Sequence, residues 1–182
     1  SNYEGKIYGE IWGFTTDRLF QESDFNADGT MVDGIASQAY FENAGYKYKY
    51  GPGDVKFVDL DKDGEITWGE KTVENHGDWS RIGNATPRYE YNFKIGLDWY
   101  GVDLNIFFQG VGSRQYWATG TMMIPGWNFS EGTYYAHQTD YWTPENTDAF
   151  YPRLAETNQP GQYSASGFNF LCQTRYLLDM SY

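Results

Sequence analysis

Two long apolar alternations, separated by two residues, constrain this chain more than any other feature. In YEYNFKIGLDWY, at 89–100, the residues Tyr89, Tyr91, Phe93, Ile95, Leu97 and Trp99 share one parity. Asn92, Lys94, Gly96 and Asp98 share the other. In VDLNIFFQGVG, at 102–112, Val102, Leu104, Ile106 and Phe108 alternate with Asp103, Asn105 and Gln109, and Phe107 is the one exception. A strand sends successive side chains to opposite faces, so each run reads as a strand with an apolar and a polar face. Tyr100–Gly101 is short enough to join the two as a hairpin. Strands of soluble proteins average about 5–6 residues, whereas a tilted strand needs about 9–11 to cross a bilayer. Trp99 and Tyr100 fall where an interfacial aromatic girdle would sit. A soluble sandwich would show the same alternation, but the length favours a membrane barrel.

Composition points the same way. Aromatic residues make up 20% of the chain and there are 21 glycines, yet mean hydropathy is −0.69. That mixture fits an outer-membrane barrel or a secreted sandwich. A formal charge of −12 argues against nucleic acid as partner. No run of about 18 apolar residues offers a transmembrane helix. Cys172 stands alone, which excludes an internal disulfide framework. SNYEGKIYGE has neither a Met start nor an apolar leader, and the reading favoured here is an internal piece of a longer chain.

Helical signals are scarce, with IASQAYFENAG the best short candidate. GKIYGEIWGF alternates from Ile7 to Ile11, and FNFLCQTRYLLDMSY reads as an extended C-terminal strand. The expected organisation is all-β: about four strands of a large antiparallel barrel, with a transmembrane hairpin at 89–112 and long polar loops at 21–88 and 113–167. Long loops on one side and a two-residue turn on the other match the outside and periplasmic sides of such barrels. Four strands cannot close a barrel, which needs at least about eight. The chain is therefore expected to be a fragment, or to pair with other strands.

Within the first polar stretch, DLDKDGEITWGE at 59–70 follows the spacing of a calcium-binding loop. Asp59, Asp61 and Asp63 stand at loop positions 1, 3 and 5, with Gly64 at 6. Glu65 would offer its carbonyl at 7, Thr67 a hydroxyl or a water contact at 9, and Glu70 a carboxylate at 12. Ile66, at position 8, is apolar and would turn inward. Ca²⁺ takes six to eight oxygens, and aspartates two apart converge only where the chain turns sharply. The alternative is an Asx-rich surface turn with solvated carboxylates. No helix pair flanks the loop, so the expected role is a structural staple. A second stretch, SDFNADGTMVD, matches only the first half of the template and reads as an Asx turn.

Other constellations carry little chemistry. His76 and His137 are far apart in sequence and lack ligand-spaced partners. Asp140, before YWTPEN, and Glu145, within it, could suggest the paired carboxylates of a glycosidase, but acidic residues are common in this chain and a loop-ordering role is expected; no nucleophile elbow is present. No enzyme is expected. Trp117, Trp127, Tyr134, Tyr135, Tyr141 and Trp142 could stack on sugars, meet a partner protein, or pack the loops together.

Three stretches in order carry a resemblance: GDVKFVDLDKDGEIT, IGNATPRYEYNFKIGLDWYGVDLNIFFQGVGSR and DYWTPENTDAFYPRL. Together with KIYGEIWGFTTDRLFQ and FLCQTRYLLDMSY, they make the chain resemble the C-terminal barrel region of SusC/RagA-type TonB-dependent outer-membrane transporters. The resemblance implies a 22-stranded barrel with an N-terminal plug. It also implies a SusD-like surface lipoprotein as lid, TonB acting on the plug, and import of glycans or peptides. Asp59, Asp61 and Asp63 match the family's acidic extracellular loop, and WTPEN at 142–146 and YPRL at 151–154 match a later one. The plug, the TonB-binding segment and most strands lie outside this sequence. From another class, the rival reading is a secreted, calcium-stabilised carbohydrate-binding β-sandwich module.

Overall fold

The computed structural model describes residues 5–42, 49–120, 122–125, 134–154 and 169–182. These form an all-β chain of eight strands with only short helical turns. The strands are β1 (Glu10–Gly13), β2 (Thr16–Leu19), β3 (Val55–Phe57), β4 (Ser80–Asn84), β5 (Tyr89–Trp99), β6 (Val102–Gly112), β7 (Gln115–Trp117) and β8 (Leu177–Asp179). They pair antiparallel as β1–β4, β2–β3, β5–β6 and β7–β8. Among the described residues, no helix is long and apolar enough to cross a membrane, which says nothing of strands.

Most of the described residues outside the long hairpin fold into a compact cap around a continuous core. Phe14, Leu19, Phe20, Phe41, Tyr50, Val55, Phe57 and Ile66 pack together with Trp142 and Ala149 from far along the chain. Phe14 is the hub, with ring centroids 4.9 Å from Phe57, 5.0 Å from Trp79 and 5.5 Å from Phe41. A second cluster joins Ile124, Tyr151, Phe170 and Tyr176. The polar stretches on either side of the hairpin thus contribute buried aromatics to one body. No periodicity announces this, because the elements there are only three to five residues long.

Polar clamps hold the cap where strands are too short to do so. Asp54 is fully buried and receives a bidentate guanidinium from Arg153 at 2.8 and 3.0 Å. Its carboxylate also accepts from the Asn169 amide at 2.8 Å, and Asn169 in turn accepts from the Val55 N–H at 2.9 Å. Gln38, also buried, accepts from the Phe57 N–H and donates to the Val55 carbonyl. Each buried polar group is thereby satisfied by a residue distant in sequence.

Two expected elements differ. The alternation from Ile7 does not make a strand until Glu10, because the Glu10 N–H closes a turn onto the Ile7 carbonyl at 3.2 Å. The C-terminal stretch is not extended throughout: Thr174–Tyr176 is a 3-10 turn that carries Tyr176 into the second core, and only Leu177–Asp179 is strand. The short helix candidate is one turn, Ala39–Glu42, which buries Phe41. In the second half-loop, Asp28 accepts from the Thr30 N–H at 2.9 Å, the geometry of an Asx turn.

Candidate functional site

The hairpin β5–β6 projects from the cap and is the largest regular element among the described residues. All eleven residue pairs from Tyr89–Gly112 to Trp99–Val102 are in register, without a bulge. Tyr100 and Gly101 both have positive φ, 47° and 82°, as a two-residue type I′ turn requires. One face carries the cross-strand pairs Phe93–Phe108, Ile95–Ile106, Leu97–Leu104 and Trp99–Val102. Phe93 and Phe108 stack with centroids 4.6 Å apart. The other face pairs Asn92 with Gln109, Lys94 with Phe107, Gly96 with Asn105 and Asp98 with Asp103.

Near the cap, the tyrosines lie over glycines. A Cβ on Gly110 would sit 2.2 Å from the Tyr91 ring, and one on Gly112 would sit 2.0 Å from the Tyr89 ring. Gly110 to Gly112 are buried, whereas everything from Val102 to Gln109 is exposed. Phe93 is 50% exposed and Trp99 67%. Among the described residues, no second sheet covers this apolar face. Exposed apolar surface of this extent marks a face made for something other than water.

The acidic loop lies in the cap and is held from both sides. Asp59 accepts from the Lys62 N–H at 2.6 Å and the Gly64 N–H at 3.0 Å. Asp63 accepts from the Glu65 N–H at 2.8 Å, and Asp61 from the Asp63 N–H at 3.3 Å. Gly64 takes φ 89°, which admits the sharp turn. Ile66 is fully buried in the core, and its N–H donates to the Ser37 carbonyl at 2.8 Å. The Ser37 N–H donates to the Gly64 carbonyl, also at 2.8 Å.

Asp78, eleven residues beyond Thr67 in sequence, is the residue that spacing did not reveal. Its carboxylate spans the loop, accepting from the Leu60 N–H at 2.6 Å and the Thr67 N–H at 2.9 Å. Carboxylate oxygens of Asp59, Asp61 and Asp78 all lie within 4.8 Å of one another. Burial pushes the Asp78 carboxyl above the ordinary aspartate range, and the negative charges of Asp61 and Asp59 push it in the same direction. Asp63, Glu65 and Glu70 are not part of this trio. Glu65 bridges to Ser37, Thr67 caps the Gly69 N–H through its hydroxyl, and Glu70 is exposed with its N–H on the Asn75 carbonyl. Three converging carboxylates and a sharply turned backbone suit a hard, oxygen-seeking cation.

The aromatic candidates separate by burial. Trp142 is 7% exposed and packs on the Gly53 backbone, so its ring is part of the core. Trp117 is half-buried in β7 against the second cluster. Tyr134 and Tyr135 are exposed, and Tyr135 stacks on His137 at 5.8 Å. Tyr141 is partly buried against the second cluster. Trp127 lies outside the described residues.

No protein-family model matches the chain. Against known proteins, it is 26% identical over 153 residues to TonB-dependent receptor P3 of Formosa agariphila. The match covers 84% of this chain and 13% of that protein, so the chain corresponds to a small part of its relative's length. The chain is therefore similar, along most of its length, to one section of a TonB-dependent receptor.

Proposed function

We propose that this chain is a section of the barrel of an outer-membrane TonB-dependent nutrient importer of the SusC/RagA type. The carrying observation is the hairpin: two in-register eleven-residue strands with one continuous apolar face, uncovered among the described residues. In this reading β5 and β6 cross the bilayer, Trp99 and Tyr100 sit at the periplasmic interface, and the cap stands on the outside. A sandwich module would need a second sheet over Phe93, Ile95 and Leu97, and no described strand supplies one. The receptor relative supports the same direction.

The imported nutrient is proposed to be a glycan, oligosaccharides in particular, taken up with a SusD-like lipoprotein lid and driven by TonB through the plug. Tyr134 and Tyr135 are among the exposed ring faces that the described residues offer to sugar or lid. Calcium is proposed as a structural ion at the loop of Asp59 and Asp61, where Asp78 joins the acidic set. When bound, it would offset the repulsion of these carboxylates and pin the loop to the core at Ile66.

Fractionation tests the localisation: the complete protein should sediment with the outer membrane and need detergent for release. Deleting its gene should abolish uptake of one labelled oligosaccharide class, and a surface lipoprotein should co-purify with it. Recovery in the soluble secreted fraction, or unchanged uptake of every oligosaccharide tried, would count against the importer.

A further inference from the structure

The cap holds a cavity of about 500 Å³ between the turn at 22–29 and the segment at 49–52, with Arg153 also lining it. Small-ligand sites span about 300–1,000 Å³, so this volume admits a ligand. Neither the hairpin nor the acidic loop contributes to its lining. Half-buried Phe25 and Pro52 supply an apolar wall. Fully buried Phe20 packs edge-on against Phe25 at 5.3 Å and against Tyr50 at 6.2 Å, which fixes that wall to the core. Gly51 does not adopt the positive φ that some turns demand of glycine. Its missing side chain instead leaves room, since a Cβ there would sit 3.4 Å from the Arg153 Nη2.

The polar groups around this wall set the chemistry of a ligand. Glu22 and Lys49 are exposed, and neither forms an ion pair among the described residues. They offer an acceptor and a donor of opposite charge. Arg153 adds donors, but its charge is already balanced by Asp54. Asn26 spends its amide N–H groups on Thr30 and Met31, which leaves its carbonyl oxygen to accept. An ion would meet Glu22 or Lys49 with the wrong sign, whereas a hydroxyl both donates and accepts and suits them all. The C–H face of a sugar ring suits Phe25 and Pro52. We propose that this cavity binds one unit of an uncharged oligosaccharide, its pyranose ring against Phe25 and Pro52 and its hydroxyls on Glu22, Asn26, Lys49 and Arg153. Resting on the glycan reading, this site goes beyond it by placing a sugar in the cap, apart from the hairpin.

Lys49 itself reports on the site, because its exposed ammonium can be acetylated. In the complete protein in lipid nanodiscs, acetylation of Lys49 and Lys62 is followed by peptide mass spectrometry with maltotriose, cellotriose, mannotriose or galactotriose present. One of these sugars, at about ten times its Kd, should slow Lys49 about tenfold and leave Lys62, exposed in the acidic loop, unchanged. Gly51→Leu fills the space beside Arg153 and should abolish that protection. Glu22→Ala alters only an exposed side chain, so the fold is kept, and it should raise the sugar concentration required by about tenfold. Protection by glucuronate-containing trisaccharides or by tripeptides alone would overturn the assignment of an uncharged sugar. If calorimetry shows a neutral trisaccharide binding while Lys49 acetylates at an unchanged rate, the cavity assignment fails and the glycan reading stands. If none of the four sugars binds, the glycan reading fails first and the cavity site with it.

Discussion

Arg153 and Asp54 are 99 residues apart in sequence, yet they form the ion pair that ties the second polar stretch to the first. Asp54 is fully buried, so removing its partner leaves an uncompensated carboxylate in the core. Arg153→Ala is expected to destabilise the cap by about 3–5 kcal/mol, read as a lower midpoint for tryptophan fluorescence in denaturant. Asp24 gives a pH dependence of known sign. The Arg18 hydrogen bond holds its carboxyl below the ordinary aspartate range, and the Gln21 N–H lowers it further. Its contribution is therefore complete above about pH 4, the unfolded aspartate range, and is lost as pH falls through the depressed folded value. Acid titration of Arg18→Gln should show a shallower loss of stability below pH about 4 than the unmutated protein. At the acidic loop, a few millimolar Ca²⁺ should stabilise the protein by about 1–2 kcal/mol, given the affinities of extracellular sites. Asp59→Asn with Asp61→Asn should remove that calcium-dependent shift in melting, and no shift in the unmutated protein would argue for a solvated Asx turn. Spacing alone exposed Asp59 and Asp61, because a loop template is local. Asp78 and Arg153 were not legible, because each meets its partners through the fold and no short-range pattern reports that.

At the scale of elements, the hairpin was legible to the residue. Its alternation is long, its turn is two residues, and its strands pair with their immediate neighbours in sequence. The glycines at 110 and 112 acquire meaning only once the register sets them opposite Tyr91 and Tyr89. Gly110→Val should force the Tyr91 ring off the strand and weaken hairpin assembly, seen as loss of the heat-modifiable gel band typical of folded barrels. Gly101→Val should do the same by straining a φ of 82°, whereas Tyr100→Asn should be tolerated in a type I′ turn. The β1–β4 pairing is the opposite case. It joins Glu10 to Asn84 across a long stretch, in strands of four and five residues with a register shift between Ile11 and Trp12. Nothing in a window of that length distinguishes such a strand from a loop, which is why the start of β1 was expected three residues too early.

At the scale of the whole molecule, the chain divides into two regions by what each buries. The cap turns its aromatics inward around Phe14, whereas the hairpin turns Phe93, Ile95, Leu97 and Trp99 outward. Composition could not separate these two uses of aromatic residues; only the length of the alternation could. Site-directed spin labelling tests the membrane assignment most directly, with single cysteines placed at Asn92, Phe93, Lys94, Ile95, Gly96 and Leu97 of the complete protein in lipid. Cys172, whose thiol burial pushes up to about 12, reacts poorly at neutral pH and can be replaced by Ser as background. Labels at 93, 95 and 97 should collide with dissolved oxygen and be shielded from a water-soluble nickel complex, while those at 92, 94 and 96 should show the reverse. Odd-numbered positions shielded from both reagents, as under a second sheet, or open to nickel, as in water, would contradict a membrane-facing hairpin.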